Sequence, residues 1–198
     1  MNPAFSNYKK LGSTRKGGVK KLILILGGSR SGKSSYAVKL AKESRKRIVF
    51  IATCAFPDQE MMQRIKKHRS SRPKHWKLIE EGKDVGKVLA ELPRKYDVAL
   101  IDCLGLWVSN LLADNLGNKE IEAKIKGLLY VISKISITTI LVSNEVGSGI
   151  VPDNLLARRF RDLVGWINQM LAKKADEVIF MQTGIPLIIK ESADGKIR

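Results

Sequence analysis

Eight consecutive residues, 27–34, have the types and spacing needed to bind the phosphates of a nucleotide. Their sequence, Gly-Gly-Ser-Arg-Ser-Gly-Lys-Ser, fits the pattern G-x-x-x-x-G-K-S/T. The glycines allow backbone N–H groups to turn toward phosphate oxygens, and a helix that follows directs the positive end of its dipole at them. Lys33 is expected to reach the β and γ oxygens, and the Ser34 hydroxyl is expected to bind Mg²⁺. The predicted phosphate-binding residues are Gly27, Gly28, Ser29, Arg30, Ser31, Gly32, Lys33 and Ser34.

Asp102 is a second side chain suited to this chemistry, because it ends the apolar run of residues 98–101. In proteins with such a phosphate loop (P-loop), a carboxylate at a strand end lies opposite the loop hydroxyl and holds Mg²⁺ or its water shell. An Asp in this position can also cap a helix, here one over residues 103–112, and the two roles are compatible. The sequence therefore predicts Ser34 and Asp102 as the metal-binding pair.

Glu145 follows another apolar run, residues 139–142, and precedes the turn-rich loop of residues 146–149. This position favours a general base or a second Mg²⁺ partner at the ligand edge of a sheet. The alternative is a carboxylate that only pairs with one of the many cations of the chain.

Both histidines, His68 and His75, lie in a basic segment, residues 64–77, with seven Lys or Arg and no acid. The spacing of Met61, Ile65 and His68 predicts a helix that carries these residues on one face. The neighbouring cations, among them Arg69 and Arg72, favour a neutral imidazole and neutralise phosphate oxygens, so His68 is suited to attack phosphorus. From the residues alone, an exposed histidine on a basic helix is the more ordinary interpretation.

Apolar runs of strand length alternate with segments of helical spacing, which predicts an α/β fold with a largely parallel sheet flanked by helices. In such sheets, ligands gather at the carboxyl ends of the strands. The chain reads as a single domain, residues 21–198, after a flexible basic extension, residues 1–20. The predicted strands are residues 22–26, 48–52, 98–101, 139–142 and 178–181, and the main predicted helices are residues 34–43, 58–68, 118–133 and 154–173.

The net charge of +17 attracts nucleic acids, nucleotides and anionic substrates alike. Because no aromatic cluster accompanies the cations, a solvated surface is preferred and no nucleic-acid partner is predicted. Cys54 and Cys103 are too few and too far apart for a disulfide framework or a paired-thiol metal site. Without an apolar run of signal or membrane-spanning length, the sequence predicts a cytoplasmic protein that does not insert into membranes.

Several motifs, in their order along the chain, resemble the adenosylcobinamide kinase/adenosylcobinamide-phosphate guanylyltransferase family of cobalamin synthesis. The resemblance covers about residues 22–190. Besides the P-loop, it is carried by R-I-x-x-H-R-x-x-R-P-x-x-W (64–76), D-C-L-G-L-W-V-S-N (102–110), N-E-V-G-S-G-I-V-P (144–152) and R-R-F-R-D-L-V-G-x-x-N-Q (158–169).

The resemblance implies a RecA-like P-loop fold, a trimer with sites between subunits, and a bifunctional enzyme. ATP or GTP would phosphorylate the aminopropanol hydroxyl of adenosylcobinamide, and GMP from GTP would then be transferred to that phosphate with release of pyrophosphate. The resemblance places the guanylylated histidine at His68. It also implies that one P-loop serves both steps, with Lys33 on the phosphates and Mg²⁺ shared by Ser34 and Asp102.

Two positions depart from the family pattern: some members have a second histidine where this chain has Lys67, and many have Thr where it has Gly105. The second departure removes a hydroxyl near Asp102, which alters substrate positioning or loosens the start of a helix. Two other functions compete with the bifunctional transferase. One is a P-loop kinase of another small alcohol, with His68 on the surface, and the other is a RecA-like, nucleic-acid-dependent ATPase.

Overall fold

The computed structural model describes residues 20–54, 73–191 and 196–197. Its strands are β1 (Leu22–Gly27), β2 (Ile48–Ala52), β3 (Lys77–Glu80), β4 (Val98–Asp102), β5 (Thr138–Asn144), β6 (Glu177–Gln182), β7 (Ile185–Glu191) and β8 (Lys196–Ile197). Its helices are α1 (Lys33–Glu43), α2 (Val85–Ala90), α3 (Leu104–Ala113), α4 (Asn118–Lys134) and α5 (Leu155–Lys174).

The strands form one sheet in the order β3-β2-β4-β5-β1-β6-β7-β8. Pairing is parallel from β3 to β6 and antiparallel between β6, β7 and β8. The central strands are continuous apolar runs because helices cover both of their faces, so no residue of these strands has to face water. The predicted α/β class with a largely parallel sheet is confirmed.

Helix α1 packs on one face of the sheet, and helices α2 to α5 pack on the other. The larger of the two resulting cores contains Trp107, which is only 1% exposed. α4 and α5 carry an apolar stripe at helical spacing, so each buries one side against the sheet and leaves its polar side in water.

The five apolar runs in the sequence correspond to β1, β2, β4, β5 and β6. Strands β3, β7 and β8 and helix α2 were not predicted from the sequence. β3 and α2 have only four and six residues, too short for a clear periodic signal, and the apolar side chains of β7 are largely exposed. The helix predicted over residues 58–68 and residues 1–19 of the predicted extension lie outside the described residues. Within the described ranges, no helix is both long enough and apolar enough to cross a membrane.

Candidate nucleotide site

The P-loop joins β1 to α1, and at two positions, Gly27 and Gly32, its backbone accommodates only glycine. A Cβ on Gly27 would lie 2.5 Å from Ser31 Oγ and 2.7 Å from the Met181 carbonyl oxygen. Gly32, at the N-cap of α1, has φ of 91°, in the left-handed region that side chains disfavour. Its carbonyl accepts the Tyr36 N–H at 2.9 Å, so the helix begins directly at the loop. The amides of the first helical turn therefore face the loop, where phosphate oxygens would accept them.

Internal hydrogen bonds hold the loop in shape. Ser31 N–H donates to Gly28 O at 3.3 Å, and Gly184 N–H donates to Ser31 O at 3.0 Å. Lys33 Nζ lies over the loop and donates to Gly28 O at 3.1 Å. A phosphate is a stronger acceptor for an ammonium group than a neutral carbonyl, so a bound nucleotide would compete successfully for Lys33. The buried Ser31 Oγ has no partner among the described residues.

Ser34 and Asp102 lie together at this loop, as the sequence predicts. Ser34 Oγ donates to Asp102 Oδ1 at 3.2 Å. A hydroxyl and one carboxylate are hard oxygen ligands, and they fit Mg²⁺, which keeps several waters and takes its other ligands from substrate phosphates. The described residues contain no group of three or more His, Cys, Asp and Glu that would hold a metal without the nucleotide. The N-cap of α3 is Cys103, so the alternative role of Asp102 as the helix cap is wrong.

Thr53 fixes the turn that carries Asp102, a contribution that the sequence analysis missed. The fully buried Thr53 Oγ1 donates to Cys103 O at 2.6 Å and accepts Cys103 N–H at 2.8 Å. Thr53 N–H donates to Asp102 O at 3.2 Å. Asn110 Nδ2 donates to Thr53 O at 2.7 Å and to Gly82 O at 3.0 Å, which ties the ends of β2, β3 and β4 together. A buried polar residue directly after an apolar strand is the signal that indicates such a role.

Cys103 is not a candidate nucleophile. Its burial, together with the negative charge of Asp102, raises the pKa of the Cys103 thiol to about 12. A thiol with this pKa stays protonated at neutral pH and is unreactive.

Glu145 shapes its own loop. Its Oε1 accepts the N–H groups of Gly147 at 2.5 Å and Ser148 at 3.1 Å, and Glu145 N–H donates to Gly27 O at 2.9 Å. The backbone of Glu145 is thus tied to the end of β1 while its side chain binds its own loop, and no ion pair joins it to a cation within the described residues. Its role as a base or a Mg²⁺ partner stays a prediction.

Asn168 of α5 holds the end of β5, a role that was not predicted from the sequence. Its Oδ1 accepts the Ser143 hydroxyl at 2.6 Å and its Nδ2 donates to Asn144 O at 2.9 Å. Asn168 is only 6% exposed. An amide on a core-facing helix position is the sequence signal for such an anchor, because a buried amide needs partners.

Three predicted site residues, His68, Arg69 and Arg72, lie outside the described residues. The described chain stops at Cys54, just after β2, and resumes at Pro73, just before β3. The structure therefore brings together the P-loop, Ser34 and Asp102, and it describes Glu145 at the neighbouring strand end.

A strand, a glycine-rich loop, a helix and an acidic strand end in this arrangement define a P-loop nucleotide-binding protein. Solved structures agree at the level of fold. A prototypical ATPase from the type III secretion system of pathogenic bacteria matches with a TM-score of 0.56 and 15% identity, over 82% of this chain and 51% of that chain. A protein of Pyrococcus horikoshii OT3 matches with a TM-score of 0.57 and 12% identity, over 91% of this chain and 92% of that chain.

The sequence comparisons are more specific. Residues 23–189 match the family model described as cobinamide kinase/cobinamide phosphate guanyltransferase, and the chain belongs to this family. The bifunctional adenosylcobalamin biosynthesis protein CobU of Escherichia coli K12 is 38% identical over 85% of this chain and 99% of its own length. The protein CobP of Pseudomonas aeruginosa, which has the same description, is 40% identical over 84% of this chain and 96% of its own length. The family expected from the sequence motifs is thereby confirmed.

Proposed function

We propose that this chain is a bifunctional enzyme that phosphorylates adenosylcobinamide and then transfers GMP to the product to form adenosylcobinamide-GDP. The observation that carries the proposal is the Ser34–Asp102 pair, 3.2 Å apart beside Lys33 in a member of this family. The relatives whose names state a bifunctional role in adenosylcobalamin biosynthesis align along nearly their whole length. Both proposed steps act on the phosphates of a nucleoside triphosphate.

In the proposed first step, the hydroxyl of the aminopropanol arm attacks the γ-phosphorus of ATP or GTP. A bond forms between the hydroxyl oxygen and phosphorus, and the bond between the γ-phosphorus and the bridging oxygen breaks, which leaves ADP or GDP. Lys33 and the loop amides hold the β and γ phosphates in place and offset the charge of the transition state. Glu145 is the candidate acceptor of the hydroxyl proton, since its Oε1 fixes the loop and leaves Oε2 for this role.

Ser34 and Asp102 would hold Mg²⁺ in both steps. Bound there, the ion supplies Lewis-acid neutralisation of the phosphate charge. The contribution of the chain is to hold a hydroxyl and a carboxylate on two different elements at a fixed separation, which the Thr53–Cys103 hydrogen bonds support from behind.

In the proposed second step, an imidazole nitrogen of His68 attacks the α-phosphorus of GTP, and pyrophosphate leaves. The phosphate of adenosylcobinamide phosphate then attacks the same phosphorus, the P–N bond breaks, and His68 is regenerated. Arg69 and Arg72 are the candidate cations for the phosphate oxygens during both displacements. The support for these three residues is the I-x-x-H-R motif and the family to which the chain belongs.

The two histidines of the chain provide a matched test of the covalent step. Purified protein is incubated with Mg²⁺ and α-³²P GTP, and acid-labile, base-stable label on the chain is measured. We expect label on the wild type and on His75→Ala, and none on His68→Ala. Label that persists on His68→Ala, or a folded and nucleotide-binding wild type that takes up none, would contradict the guanylyl-histidine intermediate.

The kinase step is tested separately with γ-³²P ATP or GTP and adenosylcobinamide. We expect label in the corrinoid product from the wild type and from His68→Ala, because the first step does not use the imidazole. If the wild type labels other small alcohols but not the corrinoid, it is a P-loop kinase of another substrate. If hydrolysis of ATP needs DNA or RNA, the chain is a nucleic-acid-dependent ATPase.

We also propose that the protein is a homo-oligomer, a trimer by family resemblance. Four large apolar side chains near the ligand edge support this: Ile150, 97% exposed, with Val151, Leu155 and Leu156. Single exposed apolar residues are ordinary, but four within seven consecutive residues support an interaction surface. Light scattering should give three times the chain mass of 22.1 kDa, and Ile150→Arg should lower the oligomer mass.

A cytoplasmic location is proposed as well, supported by two free cysteines.

A further inference from the structure

Asn144 is the last residue of β5, and β5 lies between the strand of the P-loop and the strand of Asp102. In the parallel register, Asn144 is paired with Gly27 on one side, while Asp102 is paired with Val142 on the other. Asn144 therefore lies level with the start of the P-loop and slightly beyond the metal-binding carboxylate. A side chain here is between the two groups that hold the phosphates and the metal.

The backbone around Asn144 is held on both sides. Asn168 Nδ2 donates to Asn144 O at 2.9 Å, and Asn168 Oδ1 accepts the hydroxyl of the preceding Ser143 at 2.6 Å. The next residue, Glu145, donates its N–H to Gly27 O at 2.9 Å. The backbone position from which the Asn144 side chain extends is therefore set by the scaffold before any ligand arrives, which favours a preorganised contact.

The side-chain amide of Asn144 lies against the backbone of Gly105. A Cβ on Gly105 would lie 3.2 Å from Asn144 Cγ and 3.3 Å from Asn144 Oδ1, so the oxygen is turned toward the start of α3. Asn144 Oδ1 is buried there without a partner among the described residues. The nitrogen Nδ2 also has no hydrogen-bond partner in the described part of the chain, and unlike Oδ1 it is not fully buried, since Asn144 as a whole is half-buried. An accessible N–H donor is thus present at the phosphate edge.

We propose that Asn144 Nδ2 donates a hydrogen bond to the γ-phosphate and makes the site distinguish nucleoside triphosphates from diphosphates. The inference rests on the proposed function in one respect, namely that the P-loop binds a nucleoside triphosphate. A neutral amide suits this contact because it donates to a charged oxygen without having to lose or gain a proton. Gly105 contributes by leaving the space that this amide orientation needs.

The test compares the affinities of GDP and a non-hydrolysable GTP analogue, both with Mg²⁺, by calorimetry. We expect Asn144→Ala to weaken binding of the triphosphate analogue about tenfold while GDP binding changes less than about twofold, as for one lost hydrogen bond to a charged group. Asn144→Asp should weaken the triphosphate further, because it places a carboxylate against the γ-phosphate. Asn118→Ala, the same change at an exposed residue of α4, should change neither affinity.

Gly105→Ala gives a second and independent variant. The added Cβ would lie 3.2 Å from Asn144 Cγ, so the amide has to shift by a few tenths of an ångström. The triphosphate should then lose affinity relative to GDP, by less than in Asn144→Ala, while the helical position tolerates alanine. Equal losses for both nucleotides, or no loss in Asn144→Ala and Asn144→Asp, would overturn the inference. The binding ratio does not depend on His68 or on the corrinoid, so it stands apart from the proposed reactions. A wild type that binds neither nucleotide would overturn both.

Discussion

The two edges of the sheet use polar side chains differently. At the amino edge, where the strands begin, charged groups pair with each other or with the backbone: Lys21 Nζ lies 2.5 Å from Glu177 Oε1, and Arg47 Nε lies 3.1 Å from Asp97 Oδ2. Asp176 accepts the N–H of Leu22 at 2.7 Å. These polar groups find their partners inside the protein, so the amino edge has a structural role.

At the carboxyl edge, side chains bind loop backbone and leave some polar atoms without a partner among the described residues. Thr53, Asn110 and Asn168 hold the loops, while Ser31 Oγ and Asn144 Oδ1 are buried and unpaired. Because an unpaired buried polar atom is unfavourable, the persistence of Ser31 Oγ in the phosphate loop points to a ligand edge. A third such atom, Thr139 Oγ1, lies near the start of β5, and nothing in the structure explains it. We therefore expect substitutions of site residues at the carboxyl edge to affect catalysis, and substitutions at the amino edge to affect only stability.

The largest expected difference between the edges is in the transfer rates of two lysine variants, one at Lys33 of the carboxyl edge and one at Lys21 of the amino edge. Lys33→Ala should reduce phosphoryl transfer at least about 100-fold, because a preorganised cation at the transferred phosphate is lost. Its melting temperature should be close to that of the wild type, since Lys33 makes one hydrogen bond to Gly28 O, at 3.1 Å, and no ion pair among the described residues. The measurement is the rate of product formation together with a thermal melt.

Lys21→Ala is the matched control at the amino edge. It removes the Lys21–Glu177 pair and should lower the free energy of unfolding by about 0.5–1 kcal/mol while leaving the rate unchanged. A large rate loss in Lys21→Ala, or a normal rate in Lys33→Ala, would break the proposed division between the edges.

Asp102→Asn should show the next largest effect. The amide keeps the size of the side chain but removes the charge that would hold Mg²⁺, so the Mg²⁺ concentration for half-maximal activity should rise about tenfold or more. The measurement is a Mg²⁺ titration of the transfer rate. Asp114→Asn, which also removes a carboxylate but at the end of α3, should titrate like the wild type. An unchanged Mg²⁺ requirement in Asp102→Asn would show that the Ser34–Asp102 contact is structural.

Thr53 sharpens the comparison, because it lies at the carboxyl edge but belongs to the scaffold. Thr53→Val keeps the shape but leaves the N–H and carbonyl of Cys103 without their partner, which should cost about 1–3 kcal/mol in the free energy of unfolding. Thr53→Ser keeps the hydroxyl and should retain most of the stability. Urea unfolding of the three proteins measures this. If Val and Ser are equally stable, the hydroxyl does not hold the Asp102 turn.

The sequence predicted the parts of the fold and site that local patterns encode. The P-loop, the acidic end of β4 and the five central strands follow from residue types over short distances. β7 was missed because its apolar residues face solvent, so it lacks the buried run that marked the other strands. Strand order and pairing required the structure, since residues far apart in the chain determine them.

The contributions of Thr53 and Asn168 to the site could not be predicted from the sequence, because they depend on hydrogen bonds between residues far apart in the chain. Thr53 contacts Cys103 across 50 residues, and Asn168 contacts Asn144 across 24. No spacing rule joins such pairs. The contacts of Glu145 are local in sequence. A Glu directly before a loop fits three roles equally well, namely a base, a Mg²⁺ partner or a partner of a cation. The structure shows that it accepts the N–H groups of Gly147 and Ser148.

The smallest expected effect is at the amino edge, in Asp97→Asn. The Arg47 guanidinium, through its hydrogen bond and its charge, holds the pKa of the Asp97 carboxyl below its ordinary value of 3.8. Because the folded state favours the carboxylate, the pair stabilises the protein at pH values above the ordinary pKa. This contribution is lost as the pH falls through the lowered pKa. Asp97→Asn should therefore be slightly less stable than the wild type at pH 7, and the difference should shrink in acid and in high salt because the pair is partly exposed. Urea midpoints of both proteins at about pH 7 and about pH 3 measure this, and the transfer rate at neutral pH should be the same. A difference that grew on acidification, or a change in rate, would show that the amino edge has more than a structural role.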